Sequence, residues 1–172
     1  PWKQVVDPGH YVPDHIPEPD VAAELKAFKV ADGFEINLFA ADPMINKPVN
    51  MNWDTRGRLW VSGSTTYPHN KPGRPPNDRI IILEDTDHDG RADRSTLFAE
   101  GLLLPHSVMP VAGGAYVCSA TEFIHLIDKD DDDHAESRRV VYSGFGNADV
   151  HQMIHGLTWA PWGELYFTQS IY

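Results

Sequence analysis

Three stretches, WDTRGRLWV (53–61), MPVAGGAYV (109–117) and WAPWGELYF (159–167), align without gaps. Each sets a glycine (Gly57, Gly113, Gly163) at a turn ahead of a short apolar and aromatic run. Glycine accepts the positive φ that tight turns need, and β-branched and aromatic residues suit a pleated, half-buried strand. A second pair repeats around them: RIIILEDTDHDGRADRSTLFAEGL (79–102) matches EFIHLIDKDDDDHAESRRVVYSGF (122–145) at a constant offset of 43 residues. One unit therefore reads strand, turn at glycine, strand, long loop, strand, acidic loop, strand. Four antiparallel strands recurring every ~40–50 residues form the pattern of a β-propeller blade. The expectation is an all-β chain, a β-propeller of four-stranded antiparallel blades with about two and a half blades present. Because an open ring leaves an unpaired sheet edge, the ring is expected to continue past Tyr172. A β-sandwich with chance internal similarity is the alternative.

Working outward, short runs bounded by Gly, Pro, Asn and Asp predict strands over 34–40, 49–54, 58–64, 79–85, 95–101, 115–121, 123–128, 138–144 and 164–170. Residues 1–30 are Pro-rich at the start and predict an extended lead-in, with a short helical turn near Val21–Phe28. Residues 31–172 are read as the partial propeller. Between the repeats lie two insertions, TYPHNKPGRPPND (66–78) and GNADVHQMIHG (146–156). Insertions in repeat proteins map to loops, often on the binding face, and the second carries His151 and His155.

The chain has 14 basic and 25 acidic side chains in 172 residues, a net charge of −11. That balance argues against nucleic acid and anionic membrane partners, both of which need clustered Lys and Arg. No apolar run reaches the roughly 18 residues of a spanning helix. One cysteine, Cys118, excludes an internal disulfide, a multi-Cys zinc site and a CxxCH haem attachment within this stretch. The chain opens at Pro1 rather than Met, so the lack of a signal peptide leaves export undecided.

Of the net −11, windows 84–93 and 128–136 carry −4 and −5. Adjacent carboxylates repel, so a cation is their natural complement. Asp85, Asp87, Asp89, Gly90 and Asp93 spell DxDxDGxxD, whose alternate carboxylates converge as an oxygen-rich cage of the kind Ca²⁺ prefers. An EF-hand needs flanking helices and Glu at position twelve, where this chain has Thr96 between predicted strands. Asp128, Asp130, Asp132 and Glu136 repeat the offsets, with Asp133 in place of Gly90. That replacement strains a turn needing φ > 0, so the first loop is expected to hold Ca²⁺ more tightly. A solvated Asp turn is the plainer reading of both loops.

The combination of ADGFEINLFAADPMINKP, WDTRGRLWV, LEDTDHDGRAD, GLLLPHSV, VVYSGFG and LTWAPWGELYFTQSIY resembles the N-terminal propeller of PVC-type haem-binding CxxCH proteins, also described as membrane-bound dehydrogenases. Those domains are similar to soluble quinoprotein glucose/sorbosone dehydrogenases, in which pyrroloquinoline quinone (PQQ) accepts a hydride while a histidine takes the sugar hydroxyl proton. The resemblance implies an exported protein, periplasmic or at the cell surface, with haem confined to a part outside this chain and further domains following. It also implies an oxidoreductase acting on a sugar or related alcohol. The stretch HQMIHGLTWAPWGELYF matches the family's catalytic region, with Trp162 where its turn has Asp.

An imidazole titrating near neutrality suits a general base. His151, on the irregular insertion, is assigned as base, and His155, abutting a strand, as support. Asn50 and His106 are expected to line the same channel. Lys71, Arg74 and Arg79 flank the Pro-rich insertion, as solvated charges or facing an anion. Cys118 reads as a small buried hydrophobe. Trp53, Trp60 and Trp159 recur at repeat positions and are expected to pack between blades. Two function classes stand: a calcium-stabilised quinoprotein-type dehydrogenase, or a non-catalytic propeller binding carbohydrate or protein within a larger redox protein. A lactonase or other hydrolase using propeller-bound calcium is a third, weaker class.

Overall fold

Gly57, Gly113 and Gly163 adopt φ of +80°, +73° and +90°, the left-handed geometry their aligned turns require. The fold comes from a computed structural model that describes residues 20–68 and 73–169. Strands β1 (Pro48–Trp53), β2 (Leu59–Gly63), β3 (Asp78–Glu84) and β4 (Arg94–Leu102) form one antiparallel sheet in chain order. Strands β5 (Pro105–Val111), β6 (Gly114–Ser119), β7 (Glu122–Ile127) and β8 (Ser137–Ser143) form a second in the same order. A hairpin follows, β9 (His155–Trp159) with β10 (Leu165–Thr168). The chain is thus all-β, built of four-stranded antiparallel sheets, and the 43-residue sequence offset maps β3–β4 onto β7–β8.

The described residues divide into two compact units, one ending at Asn37 and the other beginning at Leu38. In the first, the helix α1 (Val21–Ala27) is capped by Asp20, whose side chain accepts from the Ala23 amide at 3.0 Å. Residues 1–19, where most of the predicted lead-in falls, lie outside the described residues. No helix among the described residues is long and apolar enough to cross a membrane.

Alternation along the central strands builds three layers. Trp60, Ile80 and Ile82 face the second sheet and pack with Val108, Val117, Ile124 and Leu126. Leu59, Val61, Ile81 and Leu83 point the other way and are covered by Phe39, Ala40, Met44 and Ile45. On the far face of the second sheet, Met109, Cys118 and Phe123 meet Ile154 and Leu157, with Leu165 and Phe167 beside them. Each such side chain contributes about 1.5–3 kcal/mol when fully buried. The sheets therefore stack in chain order, and their first strands lie side by side, β1 against β5 and β5 against β9.

Side chains, not a shared ladder, fasten those first strands. Asn50 accepts from the Val108 amide at 3.1 Å, and Asn52 donates to the Val108 carbonyl at 2.7 Å. The Gly156 amide donates to Ser107 Oγ at 2.8 Å. Asn50 thus joins two sheets, its side-chain oxygen accepting from a backbone amide that β5, an edge strand, does not use in its ladder. Register slips near the start of each first strand, at Val49 in β1, at His106 in β5 and at Gly156–Leu157 in β9.

Three sequence expectations change. Residues 34–40 form no strand, and Phe39 and Ala40 pack as an extended cover on the first sheet. Strands β5 and β9 were not anticipated as such. Pro105, Pro110 and Gly156 disguise them, yet β5 tolerates Pro110 because it sits at the sheet edge.

Candidate functional site

The β3–β4 and β7–β8 hairpins carry one scaffold twice. Asp85 accepts from the amides of Asp89 (3.1 Å) and Gly90 (2.8 Å), and Asp128 from those of Asp132 (3.3 Å) and Asp133 (3.1 Å). Asp93 takes the Thr86 amide at 3.2 Å as Glu136 takes that of Lys129 at 3.0 Å. Oxygens of Asp128, Asp130, Asp132 and Glu136 all lie within 4.8 Å of one another, as do those of Asp85, Asp87 and Asp89. Asp93 stands outside the first group and also accepts from the Thr86 hydroxyl at 2.7 Å. A hydrogen bond with Glu136, then the charge of Asp132, raises the Asp130 pKa, while the Lys129 amide first among several contacts lowers that of Glu136. All-oxygen groups of this kind suit a hard divalent cation. By donor count the second loop is the fuller cage, with four converging carboxylates against three.

The intervening residues face elsewhere. Asp131 and Asp133 take φ of +59° and +67°, as His88 and Gly90 take +62° and +86°. Asp133 therefore does adopt the strained conformation, and an ion pair with Arg58 at 2.7 Å offsets its cost. Arg58 also bonds Asp54 at 2.8 Å and lies 5.9 Å above the Trp60 ring, its side chain only 8 % exposed. Burial disfavours its charge, but Asp133 and Asp54 outweigh that and raise its pKa. Arg56 pairs with Asp131 at 2.6 Å. The second loop thus finds part of its cationic complement in the β1–β2 turn of the neighbouring sheet, 75 residues away.

A cleft of about 410 Å³ opens at the start of the first strands, lined by Lys47, Ser64, Tyr67, His106 and His151 among others. Asp149 caps a single 3₁₀ turn, Val150–Gln152, and its Oδ1 accepts from both the His151 amide (2.9 Å) and His151 Nδ1 (2.7 Å). Those two contacts hold the Asp149 pKa low. His106 Nδ1 donates to the Leu104 carbonyl at 2.8 Å, and His155 Nδ1 to that of Met153 at 2.6 Å. Because these acceptors carry no proton to give, the neutral rings hold theirs on Nδ1, which leaves the Nε2 of the exposed His151 as the candidate base. Burial first depresses the His106 pKa, with the neighbouring imidazoles adding to it and backbone contacts at Leu104 and Val150 opposing it. Tyr67 sits edge-on to His106 and His151, with centroids at 6.2 and 5.6 Å. His151 and His106 therefore meet in the cleft, whereas His155 does not line it. The three do not converge within 4.8 Å, so they form no ready-made metal site.

A second cleft, about 620 Å³, lies at the opposite, turn end of the same strands, bounded by Trp53, Arg56, Arg58, Asp131, Asp133 and Trp159. Here the tryptophan expectation splits. Trp60 packs between sheets against Phe98, but Trp53 and Trp159 are 57 % and 44 % exposed.

The family model described as Domain of unknown function (DUF7133) matches residues 20–171. The chain belongs to this family. No curated protein and no solved structure matches it. In this DUF7133 chain, Arg56, Arg58, Asp54, Asp149 and the buried Asp78 escaped the sequence reading. Asp78 accepts from Ser64, the Thr66 amide and the Leu104 amide, and so ties both chain segments that flank the histidine cleft. Asp149, two residues before His151, was the one legible signal, since Asp at such a spacing makes a local turn with its own backbone. Cys118 is buried as expected, its thiol pushed up to about 12 by burial. Arg74 and Arg79 are exposed, and Lys71 lies outside the described residues.

Proposed function

We propose that this chain is part of a calcium-stabilised β-propeller of dehydrogenase type, in which His151 takes the proton from a hydroxyl of a sugar or related alcohol. The observation that carries the catalytic reading is the Asp149–His151 pair at 2.7 Å on the wall of the histidine cleft. Asp149 fixes the tautomer and aims Nε2, while Tyr67 and His106 shape the space around it. Such a pair contributes about 10²–10⁴-fold to proton transfer. The propeller reading draws on the face-to-face stack and adjacent first strands. It also draws on a third echo: the Ala92 amide donates to the Phe39 carbonyl (2.8 Å) as the Ala135 amide donates to that of Phe98 (2.9 Å). Leu38–Phe39–Ala40 thus sits on the first sheet as Leu97–Phe98–Ala99 of β4 sits on the second. The resemblance adds export to the reading.

The two acidic loops fit Ca²⁺, on the convergence of their carboxylate oxygens. The quinone fits less well. PQQ carries three carboxylates, and Lys47 is the one cation among the described residues lining the cleft, already bonded to the Tyr67 carbonyl at 2.8 Å. No hydride-transfer step follows from these residues, and their part is limited to binding and proton removal.

The test is dye-linked oxidation of neutral sugars and alcohols by the protein in its full natural chain, with PQQ and with artificial quinones. His151→Ala and Asp149→Asn should each lower kcat by at least about tenfold and shift the pH profile. Unchanged kinetics in His151→Ala would overturn the base assignment, and no oxidation with any acceptor would overturn the dehydrogenase reading.

A further inference from the structure

Lys47 precedes β1 in a left-handed conformation, φ +44°, which a residue with a Cβ adopts only under constraint. The constraint is a closed set of hydrogen bonds. Its carbonyl accepts from the Ser64 amide at 3.1 Å, and its Nζ donates to the Tyr67 carbonyl at 2.8 Å. Ser64 Oγ accepts from the Tyr67 amide at 3.2 Å and donates to the buried Asp78 at 2.8 Å. Lys47 is thus held at both ends, backbone and ammonium, on a wall anchored in the core. An ammonium has three N–H groups, so two remain for a ligand. Among the described residues no carboxylate pairs with it.

The rest of the lining narrows the ligand. In a chain of net charge −11, no Asp or Glu among the described residues lines the histidine cleft, whereas four Asp line the cleft at the turn end. Asp149 is already engaged at the amide and Nδ1 of His151. An anion therefore meets an ammonium and two imidazoles in the described wall, and like charge does not repel it. A hydroxyl-rich ligand finds less. Ser64 Oγ is spent on Tyr67 and Asp78, and Pro48 and Val49 are apolar. One charged donor, one base and a short apolar wall match a molecule with one carboxylate, one hydroxyl and little else that is polar.

We infer that the histidine cleft takes a hydroxycarboxylate, its carboxylate bound by the Lys47 ammonium and its hydroxyl turned to Nε2 of His151. This rests on the reading of His151 as the base, and it narrows the substrate from a sugar or related alcohol to a hydroxy acid. A single fixed ammonium suits one carboxylate, and the three of PQQ exceed it.

The experiment is calorimetric titration of the protein in its full natural chain with both enantiomers of lactate, mandelate and 3-hydroxybutyrate. Each acid is paired with the diol in which CH₂OH replaces the carboxylate: propane-1,2-diol, 1-phenylethane-1,2-diol and butane-1,3-diol. At least one acid should bind about tenfold or more tighter than its diol. Lys47→Met should erase that preference and Lys47→Arg should keep it. Arg139→Met, which removes a charge from β8 outside the cleft, should bind as the parent does. Because Lys47 is exposed, unchanged unfolding curves are expected alongside. The proposal is overturned if no acid binds, if the diols bind as tightly, if the preference survives in Lys47→Met, or if PQQ alone binds through Lys47. Dye-linked oxidation of the same compounds separates the two readings. Lys47-dependent binding without oxidation leaves the carboxylate site standing and removes the dehydrogenase reading, whereas oxidation of the diols without binding of any acid does the reverse.

Discussion

Buried among Asp54, Asp133 and Glu84, Arg58 holds carboxylates from two sheets at once. Removing one member of a buried ion pair strands its partners, at about 3–5 kcal/mol. Arg58→Ala should therefore lower unfolding stability in urea by that amount. Arg56→Ala, which breaks the exposed pair with Asp131, should change it by less than about 1 kcal/mol. Asp54 adds a pH dependence. Burial raises its pKa, but the Trp60 indole and the contacts with Arg58 more than offset this, leaving it below the ordinary 3.8. A depressed folded pKa stabilises above the unfolded value and ceases to do so as pH falls through the folded one. The Asp54 contribution should thus be complete at neutral pH, begin to fall at about pH 4 and be lost as pH drops through the lower folded value. Asp54→Asn should remove that portion of the acid dependence, read from melting temperature against pH.

At the level of elements, the acidic hairpins make the sharpest prediction. If each holds Ca²⁺, calorimetry should show two sites, and chelation should lower the melting temperature, because a ligand of the native state stabilises it by mass action. Asp130→Asn should abolish one site and Asp87→Asn the other, with the four-carboxylate loop the tighter. No calcium uptake would dismiss both. How much of this was legible depends on range. The turns at Gly57, Gly113 and Gly163 and the carboxylate spacing are local, so alignment alone exposes them. The cross-sheet clamp was not legible, since pairing Arg58 with Asp133 requires knowing that one sheet's loop lands on its neighbour's turn. Nor was β5, where two prolines look like strand breakers until the strand is seen at an edge. Residues 34–40 erred the other way: LFA has strand propensity, but propensity makes no strand without a partner to bond. In the site, His151 was visible as a histidine on an insertion and His106 by its register in the repeat, while their neighbour Tyr67 comes from a different insertion and carried no signal.

For the whole molecule, β2, β3, β6 and β7 have strands on both sides and most of the buried residues, whereas β8 is mostly exposed. Amides of Ile80–Leu83 and Tyr116–Cys118 should exchange with deuterium slowest, and those of β8 and β10 fastest. Uniform protection across a sheet would contradict this gradient. The alternation within the second acidic loop has a consequence for assembly. Its even-numbered carboxylates turn inward on one another, while Asp131 and Asp133, in left-handed conformations, project toward the preceding sheet. The loop therefore acts as a plug and the 54–58 turn as its socket, and the two sit on different sheets. A plug-and-socket joint has polarity: it fixes which sheet follows which. The inward residues can stay constant from loop to loop while the outward pair changes, from His88 and Gly90 to Asp131 and Asp133. Neighbour choice can then drift independently of cation binding, and exchanging only the outward pair between the two loops should mis-key the joint while leaving each cage intact.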